Sequence, residues 1–401
     1  MKKIGILMLC LLLLLTLVAC GNGEAPPAQT ATPAPTTNAV PTPEGEDQTP
    51  VRIGITTVLT GDRAMEGEFA RNAASIVEQE INDAGGVLGR PLELVIEDAM
   101  GTDVGAVNAF RRLAADDSIV AIIGSNSSND NIAISGSVLE FEILTTVQGS
   151  SPRLRDLANY ENPWMFQLRT TDDVLCSAMI NYAVNVLGLR SFAVINDTET
   201  ASSDQARLFI EALEEHGIEP AVVVPFSTGT TDFSAHLARI QNANVDGILA
   251  ASFHTEAAIL MEQMRAMGME HPVFGSNAYA DPVTISLAGE ALEGVYSVTS
   301  WVPTTVMPLG QAFAQRYFEL FGTEAASSAS QIYDHVLMIV EAIERAGTTE
   351  RQAVRDAMWT IYDFEGAITI YDTRTNGAAG RGGLLLQVQN MIPVIIEAVF
   401  A

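Results

Sequence analysis

Lysine is all but missing from this chain. The 21 Lys and Arg residues include only two lysines, Lys2 and Lys3, so every later basic side chain is an arginine. Against them stand 49 Asp and Glu, for a formal net charge of -28. So acidic a surface has no footprint for a phosphate backbone, which excludes nucleic acid as a partner. Nor does it suit broad adhesion to an anionic membrane. Histidine is sparse and scattered. His216, His236, His254, His271 and His335 form no His-Glu-x-x-His pair and no metal-ligand spacing. A Gly-x-Ser-x-Gly elbow is missing. Gly85-Gly86-x-x-Gly89 follows a helical stretch rather than a strand, so it is no dinucleotide loop. These absences point away from an enzyme, and no cofactor or metal is expected. The three cysteines, Cys10, Cys20 and Cys176, are widely separated. After the first 20 residues no apolar run reaches transmembrane length.

What is present begins at the N-terminus. Lys2 and Lys3 precede an apolar run over 4–18, too short to span a bilayer comfortably and of the length of a signal peptide. It ends in Leu17-Val18-Ala19-Cys20. This block resembles the lipobox of bacterial lipoproteins, which implies cleavage after residue 19 and a lipid on Cys20. Such processing removes both lysines, so the mature charge stands two units lower, near -30. It also leaves Cys176 without a disulfide partner. Cys176 sits in an apolar helical pattern over 174–180 and reads as a small core residue. Residues 21–50 are rich in Pro, Thr, Ala and Glu and have almost no large apolar side chain, as expected of an extended tether. The protein is therefore expected outside the cytoplasm, anchored at one end.

From Val51 short apolar runs alternate with amphipathic segments. Strands are expected at 51–58, 92–97, 119–123 and 143–147, with helices over 68–82, 104–115 and 130–139. The same rhythm restarts after Arg169: strands at 192–196, 221–225, 245–250 and 272–274, helices over 203–216, 233–241 and 255–267. Helical character returns over 330–346 and 349–360. The tail, 367–400, holds strands separated by an Asn376-Gly377 turn and the 380–383 glycine loop. Alternation of this kind means βα units on parallel sheets. There are too many for one sheet, so the fold class is α/β with two lobes.

Several blocks then carry a resemblance. They are Ile53-Gly54-Ile55 leading to Leu59-Thr60-Gly61; Ile81-Asn82-Asp83-Ala84-Gly85-Gly86-Val87-Leu88-Gly89-Arg90-Pro91-Leu92; Asp232-Phe233-Ser234; Val245-Asp246; and Pro272-Val273-Phe274-Gly275. Together they resemble the type I periplasmic-binding-protein fold, and within it the branched-chain amino-acid (Leu/Ile/Val) binding family of ABC transporter substrate-binding lipoproteins. The resemblance implies two Rossmann-like lobes with parallel central sheets, joined by three crossovers and closing over a small solute. It places 51–169 plus 299–368 in lobe one and 170–298 plus 369–401 in lobe two, after a signal peptide (1–19) and a lipidated tether (20–50).

It also implies a ligand set. The loop 124–130 after the third strand is small and polar, and a helix starts at its end, so hydroxyls and free N–H groups can cradle a carboxylate. Ser128 matches the family position that meets the ligand's α-carboxylate, and Asn126 lies beside it. Helix capping is an equally ordinary role for Ser128 or Asn129. Ser150 and Ser151 match a second clamp, although a Ser-Pro turn would use the same residues. Phe253 matches an aromatic cover. Asn277 stands where amino-acid-binding relatives usually carry an acid for the ammonium, and Glu66 where they often carry an aromatic ring. Glu66 either replaces the missing carboxylate or faces water. The implied partners are a small-molecule ligand, an amino acid or related solute, and an ABC permease in the membrane. The alternative is a sensory receptor that signals to a membrane partner.

Overall fold

The computed structural model describes residues 48–400, apart from Asp62, Leu157, Asn159, Tyr160 and 375–378. The expected signal peptide, Cys20, nearly all of the tether and the Asn376-Gly377 turn lie outside the described residues.

The first sheet consists of β1 (Val51–Thr57), β2 (Leu92–Asp98), β3 (Ile119–Ile123), β4 (Leu144–Val147) and β5 (Met165–Gln167), all parallel, in the order β2-β1-β3-β4-β5. Its helices are α1 (Ala64–Asp83), α2 (Asp103–Ala114), α3 (Ser128–Phe141) and the short α4 (Pro152–Asp156). The chain then passes through α5 (Asp172–Asn181) into β6 (Phe192–Asp197), α6 (Thr200–Glu215), β7 (Val222–Phe226), α7 (Ser234–Ala243), β8 (Gly247–Ala251), α8 (His254–Ala266), β9 (Val273–Gly275), α9 (Pro282–Ala288) and β10 (Tyr296–Thr299). It returns with α10 (Pro308–Phe321), α11 (Ser327–Ala346), α12 (Arg351–Met358) and a small ribbon of β11 (Phe364–Glu365) and β12 (Ile370–Tyr371). It ends in β13 (Gly382–Gln389) and β14 (Ile392–Phe400). The second sheet is ordered β14-β13-β10-β9-β8-β6-β7. Five of its strands are parallel, as expected; β13 and β14 are antiparallel additions at one edge.

Both sheets are covered on both faces, which is why their strands read as continuous apolar runs. In the first lobe Ile53, Ile55, Ala121 and Ile123 pack against α1, α10 and α11, while Ile119 and Ile122 face Phe110, Leu113 and Val138 of α2 and α3. In the second, Ala193, Ile195, Ile248 and Ala250 meet α7 and α8, and Phe192, Val194, Leu249 and Phe274 meet α5 and α6. Cys176 belongs to that last cluster, free and fully buried, and burial pushes its thiol pKa up. It is a core residue, inert as a nucleophile.

The chain changes lobe three times. The first change follows β5, near Arg169, and the second follows β10 at Thr299. The third comes later than the sequence reading placed it, after Ala379 rather than at 368/369. The cause is Asp334 of α11. Its buried carboxylate accepts Ala367 N–H (2.6 Å), Ile368 N–H (2.9 Å) and the Tyr371 hydroxyl (2.7 Å), which holds this segment to lobe one. Ala379 N–H then bonds Gln167 O (2.8 Å), and the Thr170 hydroxyl donates to Gly382 O (2.6 Å). The glycines here are packing glycines. A Cβ at Gly380 would sit 2.7 Å from Leu168 O, and one at Gly383 would sit 2.1 Å from Leu175 Cδ2.

Candidate functional site

In an open parallel sheet the C-terminal ends of the strands meet the ligand where the strand order reverses. The first sheet reverses between β1 and β3, the second between β6 and β8. The loops leaving those strands carry Arg63 and Glu66, 124–128, Asp197, and Ser252–Phe253. Between the two sheets, Ser150 after β4 is bonded to Asp172 at the head of α5. The Ser150 hydroxyl donates to Asp172 Oδ2 (2.7 Å), and Asp172 N–H donates to Ser150 O (3.0 Å). Beside it Arg155 pairs with Asp173 (2.8 Å). Among the described residues no hydrogen bond or ion pair joins 124–130 to 252–256 or 277–281.

On the first lobe the two serine loops converge. Ser127, not Ser128, caps α3: its hydroxyl accepts Asp130 N–H (3.3 Å). Ser128 is the first helical residue, and its Oγ accepts Ser151 N–H (3.3 Å). Ser127 N–H goes to Ser125 Oγ (3.2 Å), while among the described residues the N–H groups of Ser128 and Asn129 have no protein acceptor. Asn126 lies beside them, half-buried, with its Oδ1 buried and unpartnered. Two glutamines that the sequence reading passed over fix the loops from below. Gln148 Nε2 donates to Gly124 O (2.7 Å), and Gln167 Nε2 donates to Gly149 O (2.7 Å) and Ser151 O (3.1 Å). Gly149 allows the close approach: a Cβ there would stand 2.9 Å from Ser128 Cα. Ser151 is buried in this contact. Ser150 is turned toward the second lobe, so its hydroxyl serves the hinge.

Glu66 is not a spare carboxylate. Arg63 forks onto it, Nε to Oε1 and Nη2 to Oε2, both 2.8 Å. Burial works against the Arg63 charge, but the Glu66 bonds prevail and hold its pKa above the ordinary value. Nearby, burial raises the pKa of Asp130 although Ser125 (2.7 Å) and Arg63 oppose it.

On the second lobe Phe253 stands at the head of α8 with 46% of its surface exposed. Its neighbour Ser252 shares a hydrogen bond with the buried Tyr279 hydroxyl (3.0 Å). Asn277 is exposed and opens the short turn after β9. Asp197 ends β6, fully buried. Its Oδ1 accepts Glu199 N–H and the Thr228 hydroxyl (both 2.7 Å), and its Oδ2 has no partner among the described residues. A separate open groove of about 610 Å³ runs along the outer face of α5, lined by Ser177, Asn181, Tyr182 and Glu215 among others, and none of the ligand-edge loops reaches it.

The described residues include no group of three or more His, Cys, Asp or Glu placed to hold a metal ion, and no helix long and apolar enough to cross a membrane. The model of the periplasmic binding protein family matches residues 50–391. An amino acid binding protein of Pseudomonas aeruginosa is 27% identical over 305 residues, 75% of this chain and 80% of that one. The crystal structure of a leucine binding protein, LivK, from Thermotoga maritima superposes with a TM-score of 0.79 at 26% identity, covering 87% of this chain and 99% of the other. The Streptococcus pneumoniae branched-chain amino acid transporter substrate binding protein LivJ, solved with isoleucine, shares the fold at 20% identity, with a TM-score of 0.78 over 88% of this chain and 99% of that one. With the family model matching well over half of its length, residues 50–391, the chain belongs to the periplasmic binding protein family.

Proposed function

We propose that this protein is the extracytoplasmic solute receptor of an ABC transporter, and that it captures an amino acid or a molecule built like one between its lobes. The observation that carries the reading is the pair of strand-order reversals, each with polar loops at its C-terminal strand ends, in a chain whose relatives include amino acid and leucine binding proteins. Ser128 and Ser151, with the free N–H groups at the head of α3 and the amide of Asn126, take the ligand's carboxylate or carbonyl end. Phe253 covers it from the second lobe, and Asn277 reads the far end. Glu66, saturated by Arg63, leaves that far end without a carboxylate from lobe one. The ligand side chain therefore meets a polar wall where a branched aliphatic group would prefer an aromatic one.

A thermal-shift screen of amino acids and their amides, followed by small-angle scattering, tests the reading. A bound solute should raise the melting temperature and shrink the radius of gyration as the lobes close. A stabilising solute that leaves the radius unchanged would argue against a closing receptor. The anchor belongs to the same proposal: Cys20→Ala should release the protein from the membrane fraction, and full retention would sink it.

A further inference from the structure

The first crossing contains a charge without a bonded partner. Arg169 follows β5 at the ligand-facing edge of the first sheet and is 8% exposed. Among the described residues it makes no hydrogen bond and no ion pair. Its Nε is buried and unpartnered, whereas Nη1 and Nη2, equally unbonded, keep contact with solvent. The opposite charge that acts on it is Asp172. That carboxylate is engaged with the Ser150 hydroxyl at 2.7 Å and lies beyond ion-pair distance of the guanidinium. Burial lowers the Arg169 pKa and raises that of Asp172 despite their mutual attraction, so neither fully compensates the other. A guanidinium carries five donors in a planar fork that matches a carboxylate. Leaving it buried and unpaired is costly. Arg169 lies two residues beyond Gln167, whose amide binds Gly149 O and Ser151 O, so it leaves the C-terminal end of β5 beside the loop of Ser150 and Ser151.

We propose that Arg169 is the counter-charge of the bound solute: the cleft floor is built for a ligand bearing a carboxylate, which the Arg169 fork receives beside Ser151. This rests on the receptor reading above and narrows it to carboxylic acids as against their amides and esters. The serine hydroxyls alone accept either an acid or an amide, so Arg169 supplies the discrimination.

The test compares Arg169→Met and Arg169→Lys with the wild type, using the standard amino acids, acetate and benzoate, each beside its primary amide. Calorimetry reads the affinity of every pair that gives a thermal shift. Loss of a charge-assisted hydrogen bond should weaken acid binding by Arg169→Met about 10- to 150-fold. Amide binding should change by no more than about 3-fold, since a neutral group gains little from the charge. Arg169→Lys should recover part of the acid affinity. The ligand-free Met variant should melt close to the wild-type temperature, because no bonded partner is lost and relief of the buried guanidinium offsets the lost attraction to Asp172. Acid and amide affected alike, or a markedly lower ligand-free melting temperature with the acid-to-amide ratio intact, would reduce Arg169 to a hinge residue and overturn the proposal. Binding of amides with no acid bound would overturn it and leave the receptor standing. No binding by any compound would remove both.

Discussion

Two glycines close in sequence should respond to the same substitution with opposite sign. Gly149 sits where the loop after β4 presses on the head of α3. A Cβ there would stand 2.5 Å from Leu154 Cδ1, 2.7 Å from Ser128 Oγ and 2.9 Å from Ser128 Cα. Leu154 is fully buried in the core over α3, so it has little room to give way. Ser128 Cα is backbone, so relief requires the two loops to part by about half an ångström. Overpacking of this kind costs about 1–3 kcal/mol. Parting the loops also stretches Ser151 N–H to Ser128 Oγ, already 3.3 Å, and strains Gln167 to Gly149 O at 2.7 Å, each worth about 0.5–1.5 kcal/mol. Gly149→Ala should therefore destabilise by about 2–4 kcal/mol and lower the melting temperature by roughly 3–5 °C. Gly136 lies inside α3, where a Cβ meets nothing within 4 Å. Gly136→Ala should stabilise by about 0.5–1 kcal/mol through helix propensity. Urea denaturation followed by circular dichroism, with both variants at one pH, reads the pair. A Gly149→Ala protein as stable as the wild type would show that the serine loops are not in contact as described, and the Ser128–Ser151 site would go with it.

Adjacent residues of α11 should shape the acid response. Burial pushes the His335 pKa down to about 3 and that of Asp334 up to about 6. Below pH 6.5 the unfolded histidine takes a proton that the folded one refuses, so stability falls by about 1.4 kcal/mol per pH unit. Between about pH 6 and 3.8 the folded Asp334 binds its proton first, so its contribution rises by a similar slope as pH falls. The two nearly cancel in the wild type. His335→Asn, which can keep a bond to Thr146, should leave the Asp334 slope alone and gain about 2–3 kcal/mol on going from pH 7 to 4.5 relative to the wild type; parallel urea curves at both pH values would refute the assignment. For a ligand bearing an ammonium, Asn277→Asp should tighten binding roughly 10-fold by restoring a charged acceptor. Glu66→Gln should not change that gain, because Arg63 already neutralises Glu66; calorimetry showing weaker binding by Asn277→Asp would mean the far end of the ligand is neutral.

The parts of the fold that the sequence made legible are those with local causes. β3 and β8 are unbroken apolar runs because both faces are buried, and α1 stops at Gly85 and Gly86, which take φ of +112° and +77°. α10 escaped notice: its inward Phe313 and Tyr317 are spaced for a helix, but Gly310 and the polar residues between them dilute the pattern. β10, four residues long, had too little length to declare itself. The third crossing was misplaced because it depends on Asp334 gathering donors 33 to 37 positions away. In the site the loops were legible and the individual hydroxyls were not. Ser127, Ser128 and Ser150 look alike in the chain, yet one caps a helix, one meets the neighbouring loop and one holds the hinge. Arg169 left a signal, a lone charge directly after a buried strand, that only its lack of a partner makes meaningful.

The interleaving of the two lobes also sets an order of assembly. Helix α11, whose Ile332, Val336, Ile339 and Ile343 complete the core over α1, begins at Ser327, long after the strands it covers. The second sheet likewise waits for β13 to close the edge of β10. A chain emerging N-terminus first therefore holds five strands with one apolar face covered by α1 alone while its second lobe is made, and neither lobe is finished until the last 75 residues or so arrive. Contacts of such long sequence separation slow folding, because loop-closure entropy is spent before they form. The half-made chain is the species most exposed to self-association, and a truncation before α11 should leave no independently stable first lobe.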